Sequence, residues 1–521
     1  MLTKEEMELP DRVAASFGGQ TVVITGGTGF MGKVLVEKIL RKCPDVKQII
    51  LLIRHKKGKT STERLLECLK NPLFDTVRDL RGGYPALLAK MSTVTGDVAE
   101  ADLGLSPADR KTLTDNADII VHCAATIRFD EALKKAVLLN TRGTKLMLQL
   151  GKDCKHLKIF VHISTAYCHL HVKLLEEKAY ASPDNPHEII KTMENLDDEA
   201  AESITPKLLN KLPNSYAYSK ALSEGLAVEA IEQGLPVIIL RPSIVIPIFK
   251  DPVPGWADNI NGPMGLLIGA GKGVIRTMYC KSDGYADYLP VDVLINGIMI
   301  AVWNFVEEKD QENRIMNFTS SAEIKFTYTE VIELGRKIVE TKVPLNWVAW
   351  YPGGSMKHNR FYHNVCLILY HWIPALLVDG ILLLVGQKPI LMRVQRRIAK
   401  GFEVFEYYTN NQWDFKSDIG QEVRKKLNAK EKDNYKCDTI DVNIEEYFTN
   451  CIMAARRLIL KESDESLPTA RRHMKVMWCV DRLFTLVFYG LILYWFYNMA
   501  SSYFGFNFIS TSPEPIRELN Y

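Results

Sequence analysis

The sequence predicts an α/β chain with a doubly wound parallel sheet, followed by a mostly helical segment and one C-terminal apolar helix. Three observations carry this. Short apolar, β-rich runs alternate with helically spaced stretches as far as Pro290, a glycine-rich turn separates the first run from the first helix, and a charge-free stretch appears only after the alternation ends. Strands buried on both faces read as near-continuous apolar runs, and the helices between them supply the crossovers that parallel pairing needs.

The elements follow in order. Thr21–Thr25 (TVVIT) is the first strand and Phe30–Arg41 the first helix; Gln48–Ile53 (QIILLI) is the second strand, with a helix near Ser61–Lys70. Further strands are expected at Ser92–Thr95, Asp118–His122, Ile159–Ile163 and Val237–Leu240. After Pro290 the rhythm weakens to a helix at Asp292–Val306, a strand within Arg314–Ser320 and a helix at Tyr328–Thr341. Pro344–Pro352 is aromatic and irregular, which marks a domain boundary, and Phe361–Lys461 is mostly helical. A chain of 521 residues exceeds what one core usually holds, so two or more units are expected.

Composition excludes some functions. Hydrophobic residues at 47% and charged residues at 24% fit a globular protein. A net charge of +3 without a basic cluster gives no footprint for nucleic acid. The ten cysteines stand singly and form no C-x-x-C pair, so neither a disulfide framework nor a metal site is expected. The N-terminus carries no signal-peptide-like stretch, which places the main domain in the cytosol.

Thr25-Gly26-Gly27-Thr28-Gly29-Phe30-Met31-Gly32 closes the first strand and opens the first helix. Glycines at 26, 29 and 32 permit a tight turn and let a dinucleotide pyrophosphate approach N–H groups at the helix N-terminus. The second strand ends in Arg54-His55-Lys56-Lys57, without the acid that would hold a free ribose 2′-hydroxyl. Arg54 suits a 2′-phosphate instead, which favours NADPH. Asp97 ends the third strand, where it can accept from the adenine. Cys123, Ala124 and Ala125 follow the fourth, leaving room for the nicotinamide ribose.

Tyr216 and Lys220 lie four apart at the start of a helix and so share a face. Hydride delivery to a carbonyl builds charge on oxygen, and a tyrosine can supply the proton if an ammonium stabilises its phenolate. Ser164 and Thr165 end the fifth strand at the carboxyl edge, where either hydroxyl can polarise the same oxygen. Arg241 and Pro242 close the next strand at that edge and are counted with the cofactor residues.

T-G-x-x-G-x-x-G, a strand-end Ser/Thr, Y-x-x-x-K and R-P in that order resemble the extended short-chain dehydrogenase/reductase superfamily. Within it the chain looks like a eukaryotic fatty acyl-CoA reductase over almost its whole length. The stretches that carry this are TGGTGFMGKVLVEKILRKCPDVKQIILLIR, VHCAATIRFDEALKKAVLLNTRGT, HISTAYC, PNSYAYSKALSE, LRPSIV and NINGPMGLLIGAGKGVIRTM. The resemblance implies an NADPH-binding Rossmann reductase domain over 15–345 and a helical domain over 360–462. It also implies reduction of long-chain acyl-CoA to a primary alcohol by two hydride transfers. By that correspondence Tyr216 is the acid, Lys220 its activator, and Thr165 or Ser164 the third member; no metal is involved. The rival readings are a membrane-bound member of the same superfamily acting on sterols or other carbonyls, and a non-catalytic dinucleotide scaffold.

Leu483–Ala500 is eighteen residues without a charge, long enough to cross a bilayer, and 501–521 form a short tail. Arg471, Arg472, Lys475 and Arg482 precede it, so the positive-inside bias keeps the bulk of the chain in the cytosol, on a peroxisomal or endoplasmic-reticulum membrane. Asn261–Gly273, glycine-rich and apolar, is read either as a flexible wall around the thioester end of the substrate or as a structural loop. Asn364–Gly386 is also very apolar but contains Pro374 and Asp379. It is read first as a hairpin packed within the second domain, and otherwise as an interfacial membrane contact or a tunnel wall.

Overall fold

The computed structural model describes residues 2–56, 58–259 and 262–504. Lys57, Ile260, Asn261 and the tail beyond 504 lie outside the described residues.

Seven parallel strands form the central sheet: β1 Thr21–Thr25, β2 Gln48–Ile53, β3 Met91–Thr95, β4 Ile119–His122, β5 Ile159–Ile163, β6 Val237–Pro242 and β7 Ile315–Phe318. Their order is β7-β6-β5-β4-β1-β2-β3, so the chain winds one way from β1 and then the other. The cleft where the order reverses, between β1 and β4, is where such sheets bind ligands. Alternate residues feed opposite layers. Val22 and Ile24 of β1 belong to one core and Val23 to the other, because successive side chains leave a strand on opposite faces.

The runs read from sequence are all strands. One boundary differs with consequence. β6 does not stop at Leu240; Arg241 and Pro242 pair with Asn317 and Phe318 of β7. The missing N–H of Pro242 costs nothing at a strand end.

Among the helices, α1 spans Phe30–Lys42, α2 Ser61–Leu69, α3 Ser215–Glu232 and α4 Pro263–Gly271. α5, Val291–Val306, is mostly apolar because it is buried from Val291 to Phe305, packed on α1 and β5, with Asp292, Asn296 and Asn304 its buried polar members.

The C-terminal segment is stitched into the sheet domain. Asp414–Phe415 pairs with Leu174–Leu175, the Trp413 indole donates to Leu170 O at 3.0 Å, and Val423, Leu427 and Tyr435 join the first core. The strand pairing and the indole bond bridge more than 200 residues of sequence, so no local pattern announces them.

Among the described residues, two helices are long and apolar enough to cross a membrane. They are α6, Arg360–Leu384, and the helix containing Leu483–Ala500. Between them α7, Leu391–Asn410, runs back along α6. The last helix, α8, is longer than the charge-free stretch. It runs unbroken over Leu467–Phe504, with Pro468 in its first turn, where a missing N–H is harmless. α6 corrects the reading of a packed hairpin. It does turn back on α7, yet only 17% of its apolar window is buried. Asp379 fits because it points inward, accepting from the N–H groups of Ile390, Leu391 and Met392 at 2.9, 2.9 and 2.8 Å.

Candidate active site

The glycine turn is built as its motif demands. Gly26 has φ 72°, and a Cβ on Gly32 would meet Gly26 O at 2.3 Å, so only glycine lets α1 start this close to β1. Gly29 is the N-cap, and no side chain caps the helix there. The N–H groups of the first turn, Phe30, Met31 and Gly32, are therefore left for an anion. This is the observation on which a dinucleotide fits.

Around that turn the expected residues gather. The Thr25 hydroxyl lies 2.8 Å from His122 Nδ1 and accepts from Ala124 N at 3.1 Å, fixing Cys123, Ala124 and Ala125 beside the glycines. Asp97 is half-buried beyond β3, where its carboxylate accepts from Ala99 N at 3.0 Å. Arg54 is exposed at the end of β2. Arg64 of α2 stands with it, donating to Arg54 O at 2.6 Å and to Thr28 Oγ1 at 3.4 Å. Sequence reasoning missed Arg64 because it lies ten residues beyond Arg54, on the next helix.

Tyr216 and Lys220 project from the first turns of α3, whose N-terminus is capped by Asn214 through Ala217 N at 2.9 Å. The Thr165 side chain is the neighbour that favours the charged form of the Tyr216 phenol, whose ring stacks on Phe129 at 5.4 Å. Lys220 donates to Ile163 O at 2.5 Å. One expected effect is absent. Burial pushes the Tyr216 phenol up to about 12, partly offset by Thr165, and Lys220 does not pull it down. The reason is geometric: the ammonium is aimed at a backbone carbonyl at the end of β5. Burial in turn lowers Lys220 to about 8.

Ser164 and Thr165 separate clearly. Adjacent residues at a strand end leave on opposite sides, so only one can face Tyr216, and it is Thr165. The Ser164 hydroxyl donates to Glu224 Oε2 at 2.7 Å. Glu224 also meets Arg241, Nε to Oε2 at 3.0 Å and Nη2 to Oε1 at 2.5 Å, and lies 2.8 Å from His169 Nε2. Arg241 is fully buried and donates further to the carbonyls of Glu176 and Lys178 at 3.0 and 2.8 Å. This corrects the assignment of Arg241 to the cofactor, because its guanidinium is consumed beneath the cleft. Pro242 stays at the edge, its carbonyl accepting from Ala166 N at 2.9 Å.

Burial alone pushes the Glu224 carboxyl up, but His169 and Arg241 hold it well below the usual carboxylate range. Cys168, His169 and Glu224 bring ligand-type atoms within 4.8 Å of one another. The guanidinium across both Glu224 oxygens makes this a buried ion-pair cluster, hostile to a cation. Sequence carried one signal for Glu224: it follows Tyr216 and Lys220 at the same four-residue step, on the same helical face.

Two further groups shape the cleft. Asn140 pins the loop after β4 to α3, donating to Thr126 O at 3.1 Å and Ser219 Oγ at 3.0 Å. Tyr408 of α7 packs against Phe129 at 5.1 Å and accepts from Asn214 Nδ2 at 2.9 Å. Thus the C-terminal segment touches the cap of the helix that carries Tyr216. Of the Asn261–Gly273 stretch, Asn261 lies outside the described residues and Pro263–Gly271 forms α4, whose Met264 and Ile268 pack against Tyr447 and Cys451.

Two family models, both described as male sterility protein, match residues 24–298 and 370–462. Fatty acyl-CoA reductase 1 of Rattus norvegicus is 37% identical over 463 residues, with 88% of each chain covered. The Xenopus laevis protein of the same name is 36% identical over 460 residues, again covering 88% of each. The fatty acyl-CoA reductase wat of Drosophila melanogaster is 32% identical across 92% of this chain and 91% of its own. Among solved structures, the terminal R domain from the myxalamid biosynthetic pathway superposes with TM-score 0.55 at 18% identity, covering 88% of this chain and 97% of that one. The reductase domain of a Mycobacterium tuberculosis nonribosomal peptide synthetase gives TM-score 0.57 at 18% identity, covering 87% and 97%. These two share the fold.

Proposed function

The chain belongs to the fatty acyl-CoA reductase family, and from that premise we propose that it converts long-chain acyl-CoA into a primary alcohol, using two NADPH per thioester. The observation that carries the reading is Tyr216, stacked on Phe129 and one helical turn from Lys220 at the end of β5, beside an uncapped glycine turn.

A bound reduced nicotinamide supplies the hydride, once to the thioester and once to the aldehyde. Tyr216 and Thr165 direct their hydroxyls at the carbonyl oxygen and hold the negative charge that develops there. Collapse of the tetrahedral oxyanion breaks the carbon–sulfur bond and expels the CoA thiolate. In the second round Tyr216 passes its proton to the alkoxide, and Lys220 steadies the phenolate left behind once its ammonium turns from Ile163 O. No cysteine is needed, and the Cys123 thiol, pushed up to about 12 by burial, is a poor nucleophile.

Lys220 gives a pH signature. Its ammonium is present below about 8 and is lost as pH rises through that value, whereas Tyr216 keeps its proton throughout. We therefore expect kcat/KM to fall above pH 8 with the loss of one proton. A flat profile to pH 9.5 would exclude Lys220 as the activator.

The preference for NADPH rests on Arg54 and Arg64. Burial and the Arg54 guanidinium both disfavour charge on Arg64, and a 2′-phosphate between them would relieve that repulsion. Arg64→Ala should raise the KM for NADPH roughly 10- to 100-fold, the worth of one charge-assisted contact, and leave NADH use unchanged. Acyl-CoA-dependent oxidation of each dinucleotide checks this, and an equal loss with both would remove the assignment.

The apolar half of α8 is taken to cross the bilayer. The cations before Leu483 would hold the cleft in the cytosol, at the peroxisomal or endoplasmic-reticulum membrane.

A further inference from the structure

α6 leaves a continuous apolar face uncovered: Leu376, Leu377, Ile381, Leu383, Leu384 and Val385 are each at least 59% exposed. So large an apolar face on a described surface marks a contact. Its chemistry points to lipid. Residues 360–400 hold six cations against one acid, and that acid, Asp379, is turned inward. Lys388 at the hairpin tip and Arg396 and Arg397 on α7 are exposed, with no salt bridge among the described residues. Apolar residues flanked by free cations match the interface of an anionic bilayer.

α6 is tied to α8 just before its charge-free stretch. The Arg276 guanidinium lies 5.9 Å from the rings of both Tyr370 in α6 and Trp350, and pairs with Asp481 of α8 at 3.5 Å. The Trp350 indole donates to the same Asp481 at 2.6 Å. A full crossing by α6 is excluded by its partner: α7 would have to return through hydrocarbon carrying Arg393, Arg396, Arg397 and Lys400.

We propose that α6 and the first turns of α7 lie in the headgroup and upper acyl layer of an anionic phospholipid bilayer. α7 is twenty residues long, about 30 Å, and it ends with Phe405 and Tyr408 against Phe129 beside Tyr216. One helix thus joins the lipid surface to the reacting centre, a route by which a long acyl chain enters and its product leaves. This extends the reading in which α8 spans the membrane.

The test uses the full chain in vesicles of phosphatidylcholine and phosphatidylserine, without acyl-CoA or cofactor. A photoreactive p-benzoylphenylalanine is placed at position 377, 384, 491 or 80. Positions 377, 384 and 491 should form phospholipid adducts and position 80, exposed on the sheet domain, none. Adducts at 491 alone would overturn the second contact while leaving the anchor. Chain-to-chain crosslinks at 384 would overturn it in favour of a protein interface. Absence of adducts at 491 as well would remove both. Vesicles of phosphatidylcholine alone should cut adducts at 384 at least threefold; equal yields would overturn the anionic preference.

Discussion

Replacing Tyr216 by Phe is expected to lower kcat by roughly 10²–10⁴-fold, the usual worth of a positioned general acid, while the KM for acyl-CoA changes little. The substitution is narrow. Phenylalanine keeps the stack on Phe129 at 5.4 Å and the place of α3, and removes only the hydroxyl that faces Thr165. Thermal unfolding should therefore match the unsubstituted chain, which separates loss of chemistry from loss of structure. Thr165→Val should cost less. Combined with Tyr216→Phe it should add little, because both hydroxyls serve one oxygen. A drop below about threefold in Tyr216→Phe would move the proton donor elsewhere.

Glu224→Gln should unfold more easily by about 3–5 kcal/mol, since it leaves Arg241 charged and buried with half its pairing gone. The ion pair is closed from solvent, with side-chain exposures of 0% for Arg241 and 2% for Glu224. Because the folded carboxyl is held below its ordinary value, this stabilisation is present above that value and is lost only as pH falls through the lower one. Circular dichroism on heating reads the effect. Activity at low temperature should fall as well, because Ser164, on the same carboxylate, neighbours Thr165. An unchanged melting temperature would mean that water or a shifted proton on His169 replaces the lost charge.

What sequence could tell follows from the range of the interactions involved. β1, β2 and β5 are readable residue for residue, because a strand buried on both faces must be apolar throughout. The glycine turn is readable because a Cβ at Gly32 has no room. Tyr216 and Lys220 are readable as a pair, since helical spacing alone puts them on one face. Ser164 and Thr165 are not separable in one dimension; their difference is which side of a strand end each leaves by. Arg241 misleads for a related reason. Its position at the carboxyl edge is right, but its charge belongs to Glu224, seventeen residues back on a helix. Tyr408 reaches Asn214 across 194 residues, a contact that no periodicity encodes. α6 shows the opposite limit. Its apolarity is plain in the sequence, and only the fold tells whether protein covers it.

The most direct measurement counts cofactor against thiol. Membranes carrying the full chain are given a long-chain acyl-CoA and NADPH, and oxidised cofactor and free CoA are followed together while the lipid product is identified. Two NADPH consumed per CoA released, with a primary alcohol as product and none of these from Tyr216→Phe, is the predicted result. One NADPH per CoA with aldehyde accumulating would contradict alcohol formation, and no CoA release at any chain length would contradict the reaction itself.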